Sequence, residues 1–204
     1  MDDCDGVTIN TARNSITLSD AAMVISNCNV VDVGSILQGD GTSLTNGIDA
    51  IDANGDSLTL SGTTVSGFET GVNKTSGALI LNDDATLGGN SHGVYVDDAT
   101  VTATTANVDG GPTGTGLYVI NSDNVWVYPM NASGLVGMYV ENSPFRWDGG
   151  TVDATTALEV VEAQGSVENM TWTDATNQIN AGTNSYVTSI GNTIDASKLI
   201  VDSS

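Results

Sequence analysis

The chain has 204 residues, with 25 acidic and 4 basic side chains, so its formal net charge is −21. This charge argues against nucleic acid as a partner, because a phosphate backbone is bound through Lys and Arg, and it disfavours anionic membrane surfaces. The sequence has no run long and apolar enough for a membrane helix, so we expect no membrane insertion. Two explanations of the charge stay open: solubility in a salty medium, or carboxylate clusters that bind cations.

Short predicted strands recur along the chain with a period of about 22 residues. The clearest repeat is the phrase Gly-apolar-Tyr-Val at residues 93–96, 116–119 and 137–140. A second short apolar-x-apolar strand follows each phrase, and a third follows closely. A self-similar period built of strands rather than helices is typical of stacked solenoid coils. We therefore predict an all-β solenoid of about eight coils, with three strands in each coil.

The predicted strands fall into three series in chain order. The first strands of the coils are Gly47–Ala50, Gly71–Asn73, Gly93–Val96, Gly116–Val119, Gly137–Val140, Ala157–Val160 and Gln178–Asn180. The second strands are Val7–Ile9, Val31–Val33, Leu58–Leu60, Leu79–Leu81, Val101–Ala103, Val125–Val127, Phe145–Trp147 and Val167–Asn169. The third strands are Thr42–Leu44, Thr63–Val65, Ala85–Leu87, Ala106–Val108, Met130–Ala132, Gly150–Val152, Met170–Trp172 and Asn192–Ile194.

Side chains alternate between the two faces of a strand, so the middle residue of each triplet should point outward and its neighbours inward. This places Asn169, as the last residue of its triplet, inside the coil. The residues expected in the core are Leu87, Val94, Val96, Val108, Leu117, Val119, Val125, Val127, Met138, Val140 and Val152.

Because the period never resets, residues 1–204 are predicted to form a single domain. Residues 1–46 would form irregular N-terminal coils or a cap, 47–181 the regular coils, and 182–204 a last coil or tail. The arrangement resembles the right-handed parallel β-helix of the pectate-lyase-like superfamily over roughly residues 6 to 200. That resemblance implies a right-handed coil, and it includes polysaccharide lyases and hydrolases among the activities to be considered.

At the N-terminus, Cys4–Ile9 aligns with Cys28–Val33 without a gap. Equivalent positions on neighbouring coils lie about 4.8 Å apart, which is close enough for a disulfide. We expect Cys4 and Cys28 to be joined. Two buried thiols are the alternative, because free cysteine also packs well in cores.

The outward column of the first strands contains Tyr95, Tyr118 and Tyr139, and the second strands place Trp126 and Arg146 beside it. One interpretation is a saccharide-binding ridge, since sugar rings lay apolar C–H faces on aromatic rings. The other is a purely structural ladder, in which Arg146 stacks on Trp126 through a cation–π contact. The sequence leaves both open.

The outward column of the third strands is rich in threonine. Its predicted members are Ser43, Thr64, Thr86, Asn107, Asn131, Thr151, Thr171 and Thr193. Such a stripe resembles those of ice-binding solenoids, although only one Thr per strand points outward and Asn interrupts it twice. β-Branched residues on a solvated strand are the simpler explanation.

Catalytic residues are sparse. Asn82-Asp83-Asp84 and Ser91-His92-Gly93 match pieces of the polygalacturonase pattern, but they fall within one coil and no Arg-x-Lys follows. Glu159, beside the tyrosines, is the one outward acid that we would test as a general acid. Calcium is the one cofactor that the sequence suggests, at Asp83, Asp84, Asp97 and Asp98, if these carboxylates meet on neighbouring corners.

Three N-glycosylation triplets begin at Asn73, Asn131 and Asn169, and the first two are predicted to point outward. Together these features favour a non-enzymatic extracellular or cell-surface module, structural or adhesive, that binds a polysaccharide or cell-surface glycan along the tyrosine ridge. We expect it to be a piece of a larger protein with neighbouring domains. A polysaccharide lyase or glycoside hydrolase is the alternative, and ice binding is a minor one.

Overall fold

The computed structural model describes residues 5–9, 14–15, 21–26, 29–33, 36–38, 46–51, 57–173 and 175–201. Within them the chain forms strands β1 Asp5–Ile9, β2 Asn14–Ser15, β3 Ala21–Ser26, β4 Asn29–Val33, β5 Ile36–Gln38, β6 Asn46–Ile51, β7 Ser57–Ser61, β8 Thr64–Asn82, β9 Thr86–Ala103 and β10 Ala106–Asp109. It continues with β11 Thr115–Ile120, β12 Val125–Val127, β13 Met130–Glu141, β14 Phe145–Val161, β15 Gln164–Thr173, β16 Asn177–Ala181, β17 Tyr186–Ile190, the short 3-10 helix Ala196–Lys198 and β18 Leu199–Val201.

Every strand pairs in parallel with the strand one coil away. β11, for example, lies between β9 and β13, and β12 lies between β9 and β14. The fold is therefore a parallel β-solenoid of about seven turns. The predicted all-β solenoid is confirmed, with slightly fewer coils than the sequence period suggested.

The core consists of inward columns in which aliphatic side chains stack from coil to coil. Val94, Leu117 and Met138 occupy one such column, because the strands pair without slipping. All eleven residues predicted to be internal are buried. One side of every strand faces the coil interior, so each turn adds buried apolar side chains to the inward columns. This burial stabilises the stack.

The corner between first and second strands is built from residues in the left-handed backbone region. Asp98, Asn121 and Asn142 have φ angles of 55°, 54° and 47°. Asn and Asp adopt this region more readily than other non-glycine residues. Their side chains also link the coils, since Asn142 Nδ2 donates to Asn121 Oδ1 at 3.0 Å and Asn121 Nδ2 donates to Asp97 Oδ1 at 3.0 Å.

In the N-terminal region, the gapless alignment predicted for the two cysteine segments is confirmed where residues are described. Asp5 pairs with Asn29, and the pairing continues to Ile9 and Val33. Cys4 and Cys28 themselves lie outside the described residues, so the disulfide stays a prediction. The strand that pairs with residues 64–66 is β5, Ile36–Gln38, while the predicted strand Thr42–Leu44 lies outside the described residues.

The prediction that Asn169 points inward is wrong. Gly165, and not Val167, aligns with Phe145 at the start of the second strand, so the predicted triplet was shifted by two residues. A Cβ on Gly165 would lie 2.5 Å from the Phe145 ring, which explains why the chain places glycine there. Asn169 consequently falls on a corner, exposed and with φ of 52°.

The last coil leaves apolar surface at its end. β17 and β18 carry exposed Tyr186, Leu199 and Val201 around a cavity of about 400 Å³. Asn192–Ile194, predicted as a third strand, does not form one. Among the described residues no helix has the length and apolarity needed to cross a membrane.

Candidate functional site

The tyrosine ladder, Tyr95, Tyr118 and Tyr139, stands on the outer face of the first strands, on β9, β11 and β13. Each tyrosine follows two residues after a glycine whose missing side chain lets the coils approach. A Cβ on Gly116 would lie 2.7 Å from the carbonyl oxygen of Gly137 and 3.0 Å from that of Ser133. The repeated glycine therefore fixes the coil spacing at which the three rings stack.

The rings of the tyrosine ladder face one another along the solenoid axis. The centroids of Tyr95 and Tyr118 are 5.4 Å apart with planes 10° from parallel, and those of Tyr118 and Tyr139 are 4.4 Å apart at 4°. The ring of His92 meets Tyr95 and Tyr118 edge-on, at 5.5 and 5.0 Å. Both faces of the middle ring are thus covered, and the ladder presents ring edges to a ligand.

Burial and neighbouring carboxylates raise the pKa values of the phenols in the ladder. Tyr139 donates its hydroxyl to Glu141 Oε2 at 2.7 Å. Burial and this hydrogen bond raise the pKa of Tyr139 far above its ordinary value. The pKa of Tyr118 is raised by burial and by Glu141, and that of Tyr95 by burial and by Asp97. The column is therefore a set of neutral hydroxyl groups.

Glu159 follows Tyr139 in the same column, on β14. It is half-buried, and burial raises the pKa of its carboxyl group. Asn180 Nδ2 lies 3.5 Å from its Oε1. His92 is also half-buried, and burial lowers its pKa, partly opposed by the charge of Glu69. Burial of Glu159 therefore favours the protonated form of its carboxyl group.

Trp126 and Arg146 are neighbours on the second-strand face, paired between β12 and β14. Trp126 is 51% exposed. The guanidinium of Arg146 is held by two carboxylates, with Nη2 3.1 Å from Asp148 Oδ2 and 3.1 Å from Glu168 Oε2. A shallow pocket of about 290 Å³ surrounds the indole and is lined by Asn124, Trp126, Pro144, Phe145, Arg146 and Gln164.

A larger groove, of about 480 Å³, runs along the third-strand face. We call it the third-strand groove. Its outward residues form two columns separated by buried Val65, Leu87 and Val108. The first column is Thr64, Thr86, Asn107, Asn131 and Thr151, and the second is Ser66, Gly88, Asp109, Ser133 and Asp153. The first column was predicted from the sequence, but the concavity of this face was not.

The four aspartates proposed for calcium do not gather into one site. Asp83 and Asp84 lie in the turn between β8 and β9, with φ of 51° and 62°. Asp97 and Asp98 lie after the next first strand, within β9. Among the described residues, no three His, Cys, Asp or Glu side chains form a group that could hold a metal ion.

The two outward glycosylation asparagines are engaged by their neighbours. Asn73 is half-buried and its Nδ2 donates to Asp49 Oδ1 at 2.6 Å. Asn131 is exposed, but its Nδ2 donates to Asn107 Oδ1 and its Oδ1 accepts from the Thr151 amide, both at 2.9 Å. A glycan on Asn131 would replace one of the two Nδ2 hydrogens and would stand in the third-strand groove.

Lys74 is a core residue that was not among the candidate residues chosen from the sequence. Its side chain is only 2% exposed, in the inward column between Ala50 and Val96. Its Nζ lies 3.5 Å from the carbonyl oxygen of Thr75. The sequence did indicate this position: Asn73 points outward, so alternation turns the next residue, Lys74, inward.

No protein-family model matches the chain, and neither do any curated proteins or solved structures. The architecture therefore stands on the coil register itself, while membership of the pectate-lyase-like superfamily stays a prediction.

Proposed function

We propose that this chain is a non-enzymatic structural and adhesive module of a secreted or cell-surface protein, and that it holds a glycan at Trp126. The observation that carries this proposal is the exposed indole in the pocket of the second-strand face. The extended solenoid and the resemblance to the pectate-lyase-like superfamily support a role on polysaccharide-rich surfaces.

The chemistry of the pocket suits a sugar ring. An indole offers a broad apolar face for sugar C–H groups together with one N–H donor, and the nearby amides of Asn124 and Gln164 can bind hydroxyls. Arg146 is neutralised by Asp148 and Glu168. Because the chain also carries a net charge of −21, strongly anionic sugars would be repelled. The favoured ligand is therefore a neutral glycan.

A glycan array followed by titration calorimetry tests the proposal. Trp126→Ala should weaken binding of the best neutral glycan about tenfold, in line with roughly 1 to 2 kcal/mol for an aromatic contact. The matched control is Tyr128→Ala, which removes an aromatic ring that is 52% exposed, lies two residues further on and does not line the pocket. Equal losses in both variants, or no neutral glycan bound by the wild type, would contradict the proposal.

Glycoside hydrolysis is a second candidate, favoured by one observation. Glu159 has a raised pKa, and Glu141, which accepts the Tyr139 hydrogen bond, lies on the adjacent coil two residues further along the strand. Their Cα atoms are about 8 Å apart from strand geometry, so the two residues form a neighbouring pair of carboxyl groups of the kind that glycosidases use. Release of reducing ends from neutral polysaccharides by the wild type, and its loss in Glu159→Gln, would support hydrolysis.

A further inference from the structure

We propose that the third-strand groove is a second binding site, separate from Trp126, for an extended neutral polysaccharide chain that runs parallel to the solenoid axis. This goes beyond the proposed function, because the site lies on a different face and does not include an aromatic residue among its lining residues.

The shape of the groove favours a linear polymer. Its lining residues come from five successive coils, from Thr64 to Thr151, and five strands span about 19 Å at 4.8 Å per step. The groove is therefore long and narrow and follows the axis. A compact small molecule would contact only one or two coils, whereas an extended chain can contact all five.

The opening of the groove comes from small residues in its second column. Gly88 has no side chain, and it stands between Ser66 and Asp109 on the neighbouring coils. Directly after this column the chain bends toward the first-strand face, with φ of 79° at Gly67 and 140° at Gly134. Small residues beside the bend leave space above the strands that the larger outward side chains of the other faces would fill.

The polar groups of the groove repeat at the spacing of the coils. Hydroxyl and amide groups recur in the first column and hydroxyl and carboxylate groups in the second, and Ser133 and Asp109 are already oriented by a hydrogen bond of 2.9 Å. Asp109 Oδ1 also accepts from the Gly111 amide at 3.0 Å, while its Oδ2 has no donor among the described residues. Fixed acceptors on an otherwise aliphatic floor suit sugar hydroxyls, and the coil rise is comparable to the length of one unit in an extended sugar chain.

The charges of the groove disfavour anionic polymers. Its lining includes Asp109 and Asp153 and no Lys or Arg, so polyanions, including nucleic acids and uronic-acid polymers, would be repelled. The two aspartates are two coils apart, or about 9.6 Å. A shared cation would need its oxygen ligands at 2.3–2.6 Å, so a bridging calcium ion does not explain them. A neutral, hydroxyl-rich chain meets no such repulsion and can use the hydroxyl, amide and carboxylate groups of the lining.

The test uses the Trp126→Ala variant as background, so that the two sites are read separately. Cellohexaose, xylohexaose and mannohexaose, with their disaccharides, are titrated against it by calorimetry. We expect at least one hexasaccharide to bind at least tenfold more tightly than its disaccharide, because an extended site gains affinity with ligand length. If none of the three hexasaccharides binds this variant, the groove proposal is overturned even if the wild type binds glycans at Trp126.

Gly88→Val then blocks the groove. A Cβ at this position meets only the carbonyl oxygens of Val65 and Asp109, at 3.6 and 4.0 Å, so the strand accepts the substitution and the side chain fills the opening. Hexasaccharide affinity should fall at least tenfold. The control Thr102→Val adds the same side chain to the outer column of the second-strand face and should leave affinity unchanged. An unchanged affinity in Gly88→Val, with circular dichroism showing the native fold, refutes the proposal.

Discussion

The first-strand and third-strand faces have the same coil spacing, but the first is closed by its outward side chains and the third is open. On the first-strand face, large tyrosine rings fill the outward column and cover one another, at centroid distances of 4.4 and 5.4 Å. On the third-strand face, small and polar residues leave a groove of about 480 Å³. The size of the outward residues, together with the bends at Gly67 and Gly134 beside the groove, therefore decides whether a face closes on itself or stays open to a ligand.

Two glycines give the sharpest test of this comparison. Gly116→Ala should destabilise the fold by about 3 kcal/mol, a typical cost of overpacking, because its new Cβ would meet three backbone carbonyl oxygens at 2.7 to 3.1 Å. Gly88→Ala, in the open face, should change the free energy of unfolding little. Denaturant titration measures both. Similar costs for the two variants would show that the faces are packed alike.

The middle ring of the tyrosine ladder gives the next largest effect. Tyr118→Ala should destabilise the fold by about 2 kcal/mol, because two stacking contacts are lost. Tyr95→Ala, at the end of the ladder, should cost less. If the ladder is structural, glycan affinity measured by calorimetry should not change in the folded variant. A selective loss of glycan affinity without loss of stability would instead restore the saccharide-ridge interpretation.

Alkaline pH should weaken the closed face. The ladder phenols have folded-state pKa values above the ordinary value of 10.0, so the unfolded chain loses these protons first. Their contribution to stability is complete below about pH 10 and falls as the pH rises further. Tyr139→Phe removes one such group, so its unfolding free energy should decline less steeply above pH 10. Equal slopes for the variant and the wild type would contradict this assignment.

The smallest effect concerns cations. Because Asp83 and Asp97 do not belong to a metal-binding group among the described residues, Asp83→Asn combined with Asp97→Asn should leave the calcium response of the melting temperature unchanged. Thermal melts of the wild type and of the double variant, in calcium and in sodium at equal ionic strength, measure this response. A calcium-specific rise that disappears in the double variant would restore the predicted site.

The repeat made most of the fold predictable. Once the Gly-apolar-Tyr-Val phrases set the period, alternation placed Val119 and Val127 inside and Tyr118 and Trp126 outside, and their burial agrees. Alternation is a local property, so it needs no knowledge of neighbouring coils. The Asn169 error shows its limit: Val167 is as apolar as Phe145, and only the space required by the Phe145 ring reveals that Gly165 is its true neighbour.

The candidate sites were less predictable than the fold. The stacking of the tyrosines followed from the period. Whether the rings cover one another's faces depends on their rotamers, which the sequence does not specify. The third-strand groove depends on where the chain bends, after Gly67 and Gly134, and on the absence of a side chain at Gly88. From the sequence alone, each of these three glycines cannot be told from an ordinary turn or strand glycine.

The in-register pairing of every coil has a consequence for how such a protein changes length. Gly116 and Gly137 begin equivalent phrases, and Leu117 pairs with Met138 as Val94 pairs with Leu117. Excising residues 116–136 would therefore bring one phrase into the place of the other, and duplicating them would insert a turn without disturbing its neighbours. The coil is therefore a unit that can be removed or repeated, and the reach of the groove can be adjusted in steps of one coil.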